Sequence, residues 1–297
     1  MKIREAEKLI AGNLANIYST SESENIARLL IEHLTGLPPA QINEKKEEEN
    51  EKLDPQQIET LTGRLLKHEP IQYLMQKTWF YGLELFVDPC VLIPRPETEE
   101  LTDWVVKDIK RSGLDVFSKN PVRADETSRL KIIDICTGSG CIALAIKKAV
   151  PLAEVWGCDI SEAALNIARR NGAEQDIRVD FQGMNFLDPA QQKLLPTVDI
   201  AVCNPPYIPF SDRKNMQANV LEFEPHVALF VPDNDALVFY HALAYFGTHR
   251  LHDKGCIYME IHENLGAQVL EIFSKNYEVE IKKDMQGKER MVKARRK

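Results

Sequence analysis

The sequence predicts an α/β protein: a doubly wound, mostly parallel, seven-stranded sheet preceded by a small helical domain and a β-hairpin linker. Three observations carry this. Residues 2–73 show helical periodicity only, residues 78–93 switch to β-forming side chains, and from Lys131 onward strand-like and helix-like segments alternate as βαβ units do.

In the first stretch Ile3, Ala6, Leu9, Ile10, Leu14 and Ile17 recur at helical spacing. Ile26, Leu29, Leu30, Ile31 and Leu34 form a second apolar face, with Gly36 as a C′ stop before Pro38 and Pro39. Pro55 opens a third helix through about Lys67, and the charged run 44–52 reads as a solvated loop. Trp79, Phe80, Tyr81, Leu83, Leu85, Phe86, Val87, Val91 and Leu92, broken by Gly82 and Asp88-Pro89, read as a hairpin. Glu97 or Thr98 then starts a helix through Leu101, Trp104 and Val105, and polar residues 112–129 read as a loop. Strands are expected at 131–136, 154–159, 177–182, 198–203 and 255–261, with helices at 141–150, 161–171, 234–248 and 264–275. Residues 277–283 and 289–294, joined around Gly287, close the chain as an antiparallel hairpin.

Composition narrows the function classes. A chain of 297 residues, 44% apolar and 28% charged, is a soluble globular protein of one large domain or of a small plus an ordinary one. A formal net charge of −8 argues against a broad footprint for duplex nucleic acid, although residues 288–297 carry six Lys or Arg against one Glu. No apolar run reaches a membrane span, and the charged start Met1-Lys2-Ile3-Arg4-Glu5 has no signal-peptide core. The six cysteines form no CxxC pair and the seven histidines no HxH or HExxH array, so the expectation is a cytoplasmic protein without structural disulfides and with no metal site.

Two motifs carry chemistry. After the first expected strand, Gly138, Gly140 and Ala143 within Cys136-Thr137-Gly138-Ser139-Gly140-Cys141 fit G-x-G-x-x-G/A. Glycines there let backbone approach a ligand at a helix N-terminus. Asp159 ends the second strand, where a carboxylate accepts from a ribose diol. NAD and S-adenosylmethionine both fit; Asp134 favours the latter, since an acid there can pair with an amino-acid ammonium, the alternative being a carboxylate that caps the loop. Asn185-Phe186 follows the third strand, where an amide can read an adenine edge and a ring its face; the bland reading is a loop residue beside a core aromatic.

The second motif is Asn204-Pro205-Pro206-Tyr207, closing the fourth strand. Neither proline donates a ladder bond and the residue before each is forced extended, giving a rigid turn. Alone it reads equally as a strand terminator. At the carboxyl edge of the sheet it reads as a clamp for a planar NH2 group: the Asn204 side-chain oxygen and the Pro205 carbonyl accept the two N–H bonds while Tyr207 packs on the plane.

Together these residues resemble class I, Rossmann-like S-adenosylmethionine-dependent methyltransferases that act on planar NH2 groups. His68-Glu69-Pro70-Ile71-Gln72-Tyr73-Leu74 and Val91-Leu92-Ile93-Pro94-Arg95-Pro96-Glu97-Thr98-Glu99 are similar to the release factor glutamine methyltransferases, the PrmC/HemK family. Glu224-Pro225-His226-Val227-Ala228-Leu229 and Asp284-Met285-Gln286-Gly287-Lys288-Glu289-Arg290 also resemble that family. The resemblance implies N5-methylation of the glutamine in the GGQ loop of peptide-chain release factors, with S-adenosylhomocysteine as product and no metal. It implies a helical substrate-recognition domain over 1–76, a hairpin linker over 77–99 and a cofactor-binding domain over 100–297. Cofactor contacts are expected from Asp134, Cys136, Thr137, Gly138, Ser139, Gly140, Asp159, Asn185, Phe186 and Asn204, and substrate contacts from Asn204, Pro205, Pro206 and Tyr207, with Asn204, Pro205 and Tyr207 catalytic. Cys136 stands where the family has glycine, Asn185 where it commonly has Asp, and the 112–129 loop is longer than usual. A monomer is expected. The rival readings are a nucleic-acid adenine N6-methyltransferase, a dinucleotide dehydrogenase, whose hydride chemistry leaves the Asn-Pro-Pro-Tyr turn unexplained, and a cofactor-binding protein without catalysis.

Overall fold

A computed structural model of the chain describes residues 1–112 and 129–297. The loop expected over 112–129 lies, but for its two ends, outside the described residues. Two compact units emerge: Met1–Lys77 with Gln217–Phe223, and Thr78–Met216 with Glu224–Lys297.

The first unit contains α1 (Ile3–Leu14), α2 (Thr20–Thr35), α3 (Pro39–Glu44), α4 (Pro55–Leu65) and α5 (Ile71–Met75). Its helix ends follow the local chemistry. Ser19 Oγ accepts from the Glu22 amide to start α2, and Gly36, at φ 70°, ends it. Asp54 accepts from the Gln56 and Gln57 amides, and Pro55 occupies the first turn of α4, where its missing N–H costs nothing. Ile3, Ile10, Leu14, Leu30, Ile31, Ile58 and Leu65 fill a single apolar core. The first helix stops at Leu14, and Ile17, expected inside it, is 37% exposed.

The second unit opens with β1 (Thr78–Phe80) and β2 (Leu83–Leu85), an antiparallel hairpin turned by Tyr81 and Gly82 at φ 47° and 74°. Left-handed backbone at both turn positions matches the twist of the paired strands. Phe80, Leu83 and Leu85 belong to the core of this unit, so the hairpin is part of it rather than a free connector. There follow α6 (Pro96–Arg111), β3 (Lys131–Ile135), α7 (Cys141–Ala149), β4 (Glu154–Asp159), α8 (Glu162–Glu174), β5 (Asp180–Gly183), α9 (Pro189–Gln192), β6 (Val198–Cys203) and β7 (Ile208–Pro209). After α10 (Ala218–Phe223), which groups with the first unit, come β8 (Phe230–Val231), α11 (Val238–Arg250), β9 (Leu251–Glu260), α12 (Gly266–Ser274), β10 (Tyr277–Lys283) and β11 (Glu289–Arg296).

The main sheet has seven strands in the order β10-β11-β9-β6-β3-β4-β5. Strands β5, β4, β3, β6 and β9 run parallel, and β11 and β10 are added antiparallel. Alternate residues serve opposite faces: Ile132, Ile200, Val202 and Tyr258 join one apolar cluster, and Ile133, Ile135, Ala201, Cys203, Ile257 and Met259 the other. Both faces are covered, as a parallel sheet requires. The chain steps outward from β3 to β4 and β5, then returns to lay β6 on the other side of β3. That reversal opens a crevice at the carboxyl ends of β3 and β6, the place where open α/β sheets bind ligands.

One strand starts later than its sequence suggests. Residues 177–179 are β-forming, yet the ladder begins at Asp180. Helix α8 runs on to Glu174, Asp176 turns through φ 52°, and the Ile177 amide donates back to the Gly172 carbonyl, so this stretch is spent leaving the helix. Similarly, residues 234–237 form the turn that precedes α11 instead of its first turn.

Candidate active site

The loop after β3 is left-handed at Cys136, Gly138 and Gly140, with φ of 60°, 53° and 80°. A Cβ at Gly140 would meet the Ala168 Cβ at 3.0 Å and the Phe181 ring at 3.1 Å, on a left-handed backbone that favours glycine. Cys136 does carry a Cβ in this region, at a cost of about 1–2 kcal/mol. Two acids hold the loop. Asp134 Oδ2 accepts from Thr137 Oγ1 at 2.6 Å and from the Ala143 amide at 3.1 Å. Asp159 Oδ2 accepts from the Gly138 amide at 2.9 Å, and its Oδ1 accepts from the Ser161 amide at 2.9 Å. Asp134 is fully buried and, among the described residues, its Oδ1 has no hydrogen-bond partner. Desolvation pushes this carboxyl up to about 7; the two hydrogen bonds oppose the shift and the nearby Asp159 charge adds to it. Burial also raises Asp159, against the pull of its backbone donors.

In front of the loop lies a cavity of about 310 Å³. Cys136, Thr137, Gly138 and Ser139 line one side, Asp159 and Ile160 follow from β4, Asn185 and Phe186 from β5, and Asn204 and Pro206 from β6. Arg95, Thr98, Val227 and Phe230 line it as well. Ile160 is 59% exposed beside Asp159, an apolar surface next to an acid, which suits a ligand with a ring and a diol.

The Asn-Pro-Pro-Tyr turn is anchored from behind. Asn204 Nδ2 donates to Thr98 Oγ1 at 2.9 Å, Thr98 Oγ1 donates to Glu260 Oε2 at 2.8 Å, and the Tyr207 hydroxyl donates to Glu260 Oε1 at 2.8 Å. Glu260, at the end of β9, is 2% exposed. Burial raises its carboxyl, while the two hydroxyl donors and the Arg290 charge act the other way. Burial and the Glu260 charge together lift the Tyr207 phenol well above its ordinary value, so it stays a donor. A second buried acid, Glu224, ties the segment before α6: Ile93 N donates to its Oε2 at 3.2 Å and Arg95 to its Oε1 at 2.5 Å. Among the described residues no group of three or more His, Cys, Asp or Glu side chains is arranged to hold a metal ion, and no helix is long and apolar enough to cross a membrane.

Comparison with known proteins agrees with this geometry. The PrmC N-terminal domain family matches residues 5–75 and the Methyltransferase small domain family residues 114–223. A release factor glutamine methyltransferase of Flavobacterium psychrophilum is 38% identical over 283 residues, covering 94% of each chain. The chain belongs to the release factor glutamine methyltransferase family. The Bacteroides thetaiotaomicron member is 37% identical over 97% of this chain and 98% of its own. Among solved structures, the hMettl16 catalytic domain superposes with a TM-score of 0.53 at 16% identity, covering 73% of this chain and 76% of that one, which speaks to the fold.

Against this family background, nine of the expected site residues surround one cavity: Cys136, Thr137, Gly138, Ser139, Asp159, Asn185, Phe186, Asn204 and Pro206. Four do not line it: Asp134, Gly140, Pro205 and Tyr207. Asp134 is sealed beneath the loop, where its carboxyl accepts from Thr137 Oγ1 and the Ala143 amide. Asn185 Oδ1 already accepts from the Leu187 amide at 3.0 Å, closing a local turn. Tyr207 makes an edge contact with His262 at 6.2 Å and holds Glu260, so it braces the turn. Sequence reasoning missed Glu260 and read Thr98 only as a helix start. The available signal for Glu260 was a charged residue interrupting the apolar strand Ile257-Tyr258-Met259-Glu260-Ile261.

Proposed function

We propose that this family member transfers a methyl group from S-adenosylmethionine to the side-chain amide nitrogen, N5, of the glutamine in the GGQ loop of peptide-chain release factors. The observation that carries the reading is the Asn204 amide on the wall of the cavity that the glycine loop and Asp159 also line. Family membership supports the protein substrate, and the net charge of −8 speaks against duplex nucleic acid as the alternative.

The residues divide the work. The left-handed loop at Gly138 and Gly140 leads into the N-terminus of α7 and leaves room for a ligand to approach backbone closely. Asp159 keeps lone pairs for a ribose diol while holding the Gly138 amide, and Phe186 with Ile160 offers apolar surface to a purine. S-adenosylmethionine, when bound, supplies a methyl group activated by its sulfonium charge. A primary amide nitrogen is a weak nucleophile because its lone pair is delocalised into the carbonyl. Asn204 Oδ1, on the cavity wall, and the Pro205 carbonyl, next to it in the turn though not on that wall, accept its two N–H bonds, fix its orientation and stabilise positive charge as it builds on nitrogen; the nitrogen sheds its extra proton to solvent as S-adenosylhomocysteine leaves. The acceptors are held by prolines and a buried carboxylate, so little reorganisation is needed when charge develops. The helical unit is read as the part that grips the release factor.

The test uses labelled S-adenosylmethionine with an intact release factor, its GGQ Gln→Ala variant and duplex DNA in parallel. Label in the intact factor alone is the expected result. Label in DNA, or equal label in the Gln→Ala factor, contradicts the reading.

A further inference from the structure

We propose that Thr98 is a positioning residue: it dictates which end of the Asn204 amide faces the cavity. The inference rests on the methyl-transfer reading of the same site and adds to it the group that sets the polarity of the clamp. An amide side chain has one accepting end and one donating end of nearly the same shape, so something must choose between its two flips. Here the choice is made by a directed chain of hydrogen bonds. The two oxygens of Glu260 each take one hydroxyl proton, from Thr98 at 2.8 Å and from Tyr207 at 2.8 Å. Thr98 has a single hydroxyl proton. Having given it to Glu260, it presents only lone pairs to Asn204, 2.9 Å away, and the Asn204 NH2 must turn toward it. The accepting Oδ1 is thereby left for a ligand.

The consequence is specific to the chemistry. With Oδ1 forward, Asn204 accepts from a substrate NH2. With the amide flipped, NH2 would face NH2, and the turn would repel the group it is shaped to hold. Thr98 lines the cavity yet is only 2% exposed, so little of it is open to solvent. Tyr207, anchored on the other oxygen of the same carboxylate, ties the far end of the turn to the same chain of bonds. One buried acid thus orients both ends of Asn204-Pro205-Pro206-Tyr207.

The experiment compares wild type with T98V, T98S and E260Q, measuring kcat and KM on intact release factor and cofactor affinity by calorimetry, with circular dichroism to verify the fold. Val keeps the shape of Thr and removes the hydroxyl; Gln keeps the shape of Glu and replaces one acceptor by a donor. T98V and E260Q should each lower kcat by roughly 10- to 100-fold, the scale seen when an outer partner of a site residue is lost. T98S should restore wild-type kcat to within about threefold, and cofactor affinity should stay unchanged. The double variant T98V/E260Q should lose no more than the worse single one, because both break the same chain. Unchanged kcat in T98V, or equal impairment of T98S and T98V, overturns the inference. Should T98V fail to fold, T98A, which also removes the hydroxyl, takes its place against T98S, and equal kcat in those two overturns the inference. The reading beneath is tested separately by the wild type: no methylation of the release factor glutamine overturns that reading, whereas normal wild-type turnover with an indifferent T98V overturns only the role of Thr98.

Discussion

Asp134 stores a pH dependence in one buried atom. Its Oδ1 has no partner among the described residues and its carboxyl is raised from 3.8 to about 7, chiefly by desolvation. The folded state therefore holds a proton that the unfolded chain releases near its ordinary value. For a raised acid the stabilising share is full below about pH 4 and is lost as pH climbs through about 7. Asp134→Asn removes the ionisation while keeping an acceptor for Thr137 and Ala143. The Tm of the variant relative to wild type should rise from about pH 5 to about pH 7 and level off above; a flat or falling difference would contradict it. Gly140→Ala should cost about 1–3 kcal/mol by urea denaturation, because its Cβ meets Ala168 and Phe181 in a left-handed backbone; an unchanged midpoint would show that the loop can shift. At this scale the sequence revealed the residue types and not their surroundings. Asp134 was visible as an acid near a ligand loop, but its total burial was not. Thr98 and Glu260 are 162 positions apart, beyond the reach of any local spacing.

The elements around the site are joined by single buried acids. Glu224 links the segment before α6 to the stretch after α10 by accepting from Ile93 N and from Arg95. Glu224→Ala should destabilise the protein by about 1–3 kcal/mol, since a buried N–H and a half-buried guanidinium lose their acceptor. Urea unfolding measures this, and cofactor affinity should fall with it because Arg95 lines the cavity. A wild-type midpoint would contradict the assigned link. Long amphipathic elements such as α2, α6 and α8 were legible from periodicity and caps. Helices α3 and α5, of 6 and 5 residues, are too short to show a period, and the start of β5 is displaced by the turn that leaves α8. Propensity reports what residues 177–179 favour, and the preceding helix end decides what they do.

At the scale of the molecule, the order of strand and helix was readable because each βαβ step repeats one pattern, and the terminal hairpin because Gly287 marks its turn at φ 83°. The pairing of distant segments was not: nothing in residues 91–99 announces that they meet Glu224 and Glu260. The proposed grip of the helical unit on the release factor predicts that removal of Met1–Lys77 abolishes methylation of the intact factor and leaves cofactor binding in place. The second unit carries two apolar clusters of its own and should remain folded; equal methylation by the truncated protein would contradict the assignment. In the proposed reaction Asn204 presents an amide acceptor to the reacting nitrogen. Single-turnover methylation of an intact release factor by Asn204→Ala, with cofactor affinity measured alongside, tests it most directly. The rate should fall by roughly 10²-fold or more with little change in cofactor affinity, on the scale of losing one preorganised partner of the transition state. An unchanged rate would contradict it.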